Sequence, residues 1–232
     1  MNHNLLDVLV ISGGKCGSTT LKNTFIKNGY KCEKYHSNAD FKKRNKGNIF
    51  NFIKKISNKN KIIIIDSYRL PIERKISSFF ENLHVYLPNY ENLSIKYLTN
   101  FFNQNCIMNI EEYHSINCIL DYFKFPRFKS FDFEKRYNIY EQDNKIFIKI
   151  LFSDIENWDK ILSEIFNKEI VIKSSNKSKD KEYYDLYKKF LNKYKVPKRY
   201  LKKVLIKDTE FKIYNRPEEQ ENYIKKWEAM SI

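Results

Sequence analysis

Cysteine is scarce, with four residues in 232, and Cys16, Cys32, Cys106 and Cys118 include no C-x-x-C pair. A chain of this length needs no disulfide staples, so the four thiols point to a reducing compartment. Long apolar runs are also missing. The longest aliphatic run, Ile62 to Ile65, falls far short of the roughly 18 to 20 residues that a membrane helix requires. The amino terminus, MNHNLLDVLVIS, lacks a basic leader followed by a long apolar stretch. No internal repeat and no low-complexity linker stand out. The expectation is a soluble, cytoplasmic protein with a single domain over residues 1–232.

Hydrophobic residues make up 42% of the chain and aromatics 16%, enough for a core, so the 31% charged residues read as surface. The formal net charge is +15, which invites a nucleic-acid partner. Against that, the basic residues are dispersed along the chain. Lys, Asn, Ile, Tyr and Phe are all over-used, as an AT-rich coding sequence produces without any ligand. No nucleic-acid partner is assigned; a small polyanion or an acidic sugar suits a basic surface equally well.

The clearest strands are residues 6–12 (LDVLVIS) and 61–66 (KIIIID), continuous apolar runs suited to burial on both faces of a parallel sheet. Each leads through a loop into a helix: the first from Ser18 to a stop at Gly29, the second with Ile72, Ile76, Phe79, Phe80 and Leu83 on one face. Residues 30–37 and 145–151 read as further strands, 49–57 as a short helix, 155–166 as a helix followed by a short strand EIVIK at 169–173. Two strand–loop–helix units imply an α/β fold with a central parallel sheet. Residues 84 to about 140 show weak helical periodicity near 91–103 and 110–123 and no obvious strand, and read as a helical insert. From residue 180 onward the pattern is helical and amphipathic, with Pro197 and Pro217 at helix starts.

The stretch VISGGKCGSTTLKNTF, residues 10–25, has the physics of an anion site. Gly13, Gly14 and Gly17 allow close approach of backbone, and the following helix points N–H groups at whatever sits there. Ser18, Thr19 and Thr20 add hydroxyls, and Lys15 adds a mobile point charge. The plainer alternative is a helix N-cap made by Ser18. The order of residues disfavours a Walker A loop, because Lys15 precedes Gly17 and is not followed by Ser or Thr. A G-x-G-x-x-G dinucleotide fingerprint is absent too. Asp66 is the one acid at the end of a later strand that a magnesium site could use.

After the 61–66 strand, RLPIERKIS at residues 69–77 places Arg69, Arg74 and Ser77 where a second phosphate would lie beside the first. Together the two motifs resemble those of the PAPS-dependent sulfotransferases (PAPS being 3'-phosphoadenosine 5'-phosphosulfate). Residues 14–19 are similar to their P-K-x-G-S-T loop, with Gly14 in place of Pro. Residues 69–77 are similar to R-[DEN]-P-x-x-R-x-x-S, with Leu70 at the polar position. IFIKILFSDIENW (146–158) and NKSKDKEYYDLYKKF (176–190) are fainter matches to later segments.

The resemblance implies a three-layer, P-loop-NTPase-like fold and transfer of a sulfonyl group from PAPS to a carbohydrate hydroxyl, without metal, leaving adenosine 3',5'-bisphosphate. By carry-over, Lys15 is catalytic, Gly14, Gly17, Ser18, Thr19 and Thr20 surround the 5'-phosphate, and Arg69 and Ser77 hold the 3'-phosphate. His36, at the end of the second strand, matches the general base of some carbohydrate sulfotransferases, and Glu33 is the runner-up. The acceptor is a polysaccharide or glycolipid precursor whose acidity stays open; Arg127, Lys129 and Lys135 would suit an acidic one. Two other readings stand beside this: a P-loop nucleotide kinase, and a non-catalytic nucleotide or polyanion binder. His84 and His114 read as structural or exposed, and Trp158 and Trp227 as core.

Overall fold

A computed structural model describes residues 7–108, 116–173, 181–203 and 205–231. His114 and residues 176–180 of the NKSKDKEYYDLYKKF segment lie outside them. The chain divides into two compact units, Met1–Arg69 with Tyr113–Asn176, and Leu70–Glu112 with Lys177–Ile232. The expected insert at about 84–140 is therefore not one body, because its first part belongs to the second unit and its remainder to the first.

The first unit is an α/β sandwich around a five-stranded sheet of order β2-β1-β3-β5-β4. Its strands are β1 (Val8–Ile11), β2 (Cys32–Tyr35), β3 (Ile62–Tyr68), β4 (Tyr137–Gln142) and β5 (Lys145–Leu151). β2, β1, β3 and β5 are parallel and β4 is antiparallel. Because side chains alternate along a strand, the apolar runs supply both faces at once. Val8, Val10, Ile65, Ile148 and Ile150 pack on one face with Leu21 and Phe25 of α1 (Ser18–Lys27) and Trp158, Ile161 and Leu162 of α8 (Trp158–Phe166). Leu9, Ile11, Ile62, Ile64 and Phe147 pack on the other. Their partners are Phe41 of α2 (Asn38–Arg44), Ile49, Ile53 and Ile56 of α3 (Ile49–Ser57), and Ile116, Ile119 and Leu120 of α7 (Ile116–Tyr122). Each such side chain contributes roughly 1.5–3 kcal/mol through burial.

Two expectations need correction. β4 was not anticipated: YNIYEQ is half polar because it is an edge strand, and it pairs with β5 across a two-residue turn. Asp143 and Asn144 both have positive φ there, 50° and 58°, as a tight hairpin turn requires. Conversely, residues 169–173 form no strand. The Ile170 N–H donates to Ser163 Oγ, the Val171 N–H to Asn28 Oδ1, and the Lys173 N–H to Thr24 Oγ1. Side chains of α8, of α1 and of Asn28, the residue that ends α1, thus satisfy this backbone, and among the described residues no neighbouring strand does.

The second unit is helical, comprising α4 (Pro71–Glu81), α5 (Leu83–Tyr86), α6 (Ile95–Phe102), α9 (Tyr184–Lys193), α10 (Lys198–Lys203), α11 (Thr209–Ile213) and α12 (Pro217–Ala229). Pro71 and Pro217 open their helices, where a missing N–H costs nothing. One core joins Phe79, Phe80, Phe102, Phe190, Tyr194 and Trp227 with aliphatic neighbours. Among the described residues, no helix is long and apolar enough to cross a membrane.

Candidate anion-binding site

Strand order places the first loop. From β1 the chain passes through α1 on one face to β2, then through α2 and α3 on the other face to β3 on the far side of β1. The winding reverses at β1, so the carboxyl ends of β1 and β3 border the crevice where open α/β sheets bind ligands. Residues 12–17 leave β1 at this point, and Arg69 follows β3.

The loop is held by its carbonyls. His36 Nδ1 lies 3.0 Å from Ser12 O, Arg69 Nη1 donates to Lys15 O at 2.8 Å, and Ser67 Oγ donates to Cys16 O. In a trans peptide the N–H points opposite to the C=O. Three carbonyls turned toward the exits of β2 and β3 therefore turn the amides of Gly13, Cys16 and Gly17 the other way. Lys15 (φ 69°) and Gly17 (φ 79°) both adopt the left-handed conformation, so alternate residues curl the chain as anion-binding nests do. At Gly17 a Cβ would meet Trp158 at 2.6 Å and Phe152 at 3.2 Å, so both backbone and space demand glycine there. Gly14 is different: its φ is not positive, and a Cβ would meet nothing within 4 Å.

Ser18 is not the N-cap of α1. That position is Gly17, which has no side chain to offer, and no acid stands in the first turn. Elsewhere Ser37, Asn48, Ser94 and Asp208 cap α2, α3, α6 and α11, while α4, α8 and α9 carry Glu73, Asp159 and Asp185 in their first turns. α1 thus presents its positive end without local compensation. Ser12, fully buried at the foot of the loop, has a hydroxyl with no hydrogen-bond partner among the described residues.

Lys34 of β2 was not singled out from the sequence, yet its Nζ donates to Thr19 Oγ1 at 2.6 Å in the first turn of α1. Burial lowers its pKa below the ordinary lysine value, and the nearby cations Arg44, Lys22 and Lys15 add to this, against Asp40. Two residues before His36 on a strand beside the loop, it was recognisable only through the β1–β2 register, Val10 opposite Lys34. Ser18 and Thr20 are buried at the same turn. The Arg69 guanidinium lies 4.6 Å over the Phe152 ring, which orients its remaining donors. Glu33 is in an ion pair with Lys22 at 3.0 Å.

Asp66 is not a strand-end carboxylate open to a metal. It sits within β3 opposite Lys149 of β5, fully buried, at 2.6 Å from Lys149 Nζ, and also accepts the Ile116 N–H. Burial pushes its pKa up while Lys149 opposes the shift. Ser77 and Arg74 lie buried on α4 in the second unit, so the role expected of Ser77 rests on its motif. His84 is exposed on α5 of that unit. Trp158 and Trp227 are core residues, as expected. Arg127 is tied to Asp121. Comparison of the chain with protein-family models, curated proteins and solved structures finds no match.

Proposed function

We propose that the protein is a sulfotransferase, moving a sulfonyl group from PAPS to a hydroxyl of a carbohydrate acceptor. The observation that carries this reading is the loop after β1. Its carbonyls are drawn away by His36, Ser67 and Arg69, and its amides adjoin the uncapped start of α1. Such an arrangement suits a phosphate, and the RLPIERKIS motif that begins at Arg69 supplies the resemblance to a 3'-phosphate site.

PAPS, when bound, supplies the sulfonyl group and a good leaving phosphate. Lys15, Lys34, the loop amides and Thr19 would hold the 5'-phosphate end, where negative charge grows as the acceptor oxygen attacks. Fixed donors favour that state because they need not reorganise. Arg69, braced by Phe152, would hold the 3'-phosphate in a fork. If Ser12 O accepts the Nδ1 proton of His36, the Nε2 lone pair is left to take the acceptor proton. A magnesium-dependent kinase is less well served, since Asp66 is committed to Lys149 and the Ile116 N–H.

Calorimetric titration with adenosine 3',5'-bisphosphate, against ATP and AMP, with and without magnesium, tests this. Expected is metal-independent binding of the bisphosphate that weakens about 10- to 100-fold in Arg69→Ala, the loss of one or two charged hydrogen bonds. Preference for ATP with magnesium would replace the reading with a kinase, and no nucleotide binding would end it.

A further inference from the structure

The exit of β2 is held from outside by a pair that the reading above does not use. Arg44, the last residue of α2, donates through Nη2 to Lys34 O at 2.7 Å and to Asp40 Oδ2 at 2.6 Å. Its guanidinium carbon stands 4.4 Å over the Tyr35 ring. The same Asp40 oxygen accepts the His36 N–H at 2.9 Å. Ser37 Oγ accepts the Asp40 N–H at 3.0 Å, and Asn45 donates to Tyr35 OH at 2.9 Å. Three consecutive residues, Lys34, Tyr35 and His36, are thus gripped by carbonyl, ring and amide. Two of them carry the side chains that reach Thr19 and Ser12 O.

We propose that Asp40 and Arg44 are positioning residues, which hold the Lys34–His36 segment so that His36 keeps its proton on Nδ1 against Ser12 O and presents Nε2. This rests on the reading of His36 as the base of a sulfonyl transfer. The clamp acts through geometry. A freed β2 exit lets the imidazole leave Ser12 O, and the neutral ring then divides its proton between the two nitrogens. Displacement of a reacting group by about 1 Å costs up to about 100-fold in rate. Arg44 and Asp40 are partly exposed, with side-chain exposures of 44% and 27%, and stand at i,i+4 spacing, where an ion pair contributes little to stability. Asp40 titrates below its ordinary value: burial raises it, but the His36 N–H and Arg44 outweigh that. Asp40 therefore stays ionised at neutral pH.

The test is nitrogen-15 NMR of the imidazoles at a pH where they are neutral, in the parent chain, Arg44→Ala, Arg44→Lys and Asp40→Ala, with His36 assigned by difference from His36→Gln. Lys225→Ala, which removes another i,i+4 pair, with Glu221, is the control. Each variant is also assayed for bisphosphate affinity and for turnover of PAPS with water as acceptor, which yields sulfate and the bisphosphate. Expected is an Nδ1-protonated His36 in the parent and in Lys225→Ala. Arg44→Ala and Asp40→Ala should give a mixed tautomer, turnover lowered about 10- to 100-fold and affinity within about threefold of the parent. Arg44→Lys should not restore the pattern, because an ammonium lacks the planar fork. An unchanged His36 tautomer and turnover in Arg44→Ala, with bisphosphate binding intact, would overturn the clamp. Failure of the parent chain to bind bisphosphate would instead overturn the reading of function, and is distinguished by that binding arm alone.

Discussion

In the α/β unit a sheet separates two apolar faces, and the polar side chains Ser12, Lys34, His36, Ser67 and Arg69 gather at the carboxyl ends of its strands. In the helical unit there is one core, rich in aromatic rings, and three of its tyrosines donate to side chains of the same unit. Tyr183 donates to Glu81 at 2.9 Å, Tyr194 to Asn103 at 2.8 Å, and Tyr223 to Glu73. Burial, together with Glu81 for Tyr183 and Glu73 for Tyr223, pushes these two phenols up in pKa, so they remain neutral donors. The contrast follows from backbone geometry. Parallel strands end together and leave loops side by side, so polar residues there converge from distant sequence. A helix satisfies its own backbone, so polar side chains buried between helices pair with one another, here across 91 to 150 positions.

Replacing one core tryptophan from each unit tests that contrast hardest. Trp158→Ala and Trp227→Ala should each lower unfolding free energy by about 3–5 kcal/mol in denaturant titrations, as large-to-small core changes do. Only Trp158→Ala should also weaken bisphosphate binding, because Trp158 abuts Gly17. Equal loss of binding in both would break the comparison. Lys15→Ala comes next, with turnover falling about 100- to 1,000-fold while bisphosphate affinity changes far less, since its charge matters most as the leaving phosphate forms. An equal loss in affinity would make Lys15 an ordinary binding residue. Tyr223→Phe should cost about 1–3 kcal/mol of stability through the donor withdrawn from Glu73, with nucleotide affinity unchanged. The smallest effect concerns Lys34. Its depressed pKa means that the ammonium is lost below the ordinary 10.5, and an anion favours the charged form. Bisphosphate affinity should therefore fall as pH rises through the alkaline range, with proton uptake on binding, and Lys34→Met should remove that dependence. A variant that keeps it would place the titrating group elsewhere.

Periodicity carried the parallel strands and the helices packed on them, because burial on both faces leaves unbroken apolar runs such as KIIIID and KIFIKIL. It could not carry β4, whose edge position permits polar residues, although Asp143–Asn144 between two alternating runs was a legible turn. EIVIK misled for the opposite reason: it is apolar enough for a strand, yet side chains of α8, of α1 and of Asn28 bind its backbone. In the candidate site, Lys15, Gly17 and Arg69 were legible because their spacing within short motifs reflects local backbone demands. Lys34 and Ser67 were not, since a lysine inside CEKYHS and a serine inside IIIIDSYR have no local signature.

The sequence by itself determined the α/β alternation and the position of the first loop at a strand-to-helix junction, since each depends on neighbouring residues and their conformational preferences. Only the tertiary structure decided the strand order that brings β1, β2 and β3 side by side. It likewise decided that His36, Ser67 and Arg69 each hold one carbonyl of the same loop, and that Asp66 belongs to Lys149. Those pairings span 24 to 83 positions, and contacts at such range are chosen by the packing of the whole sheet.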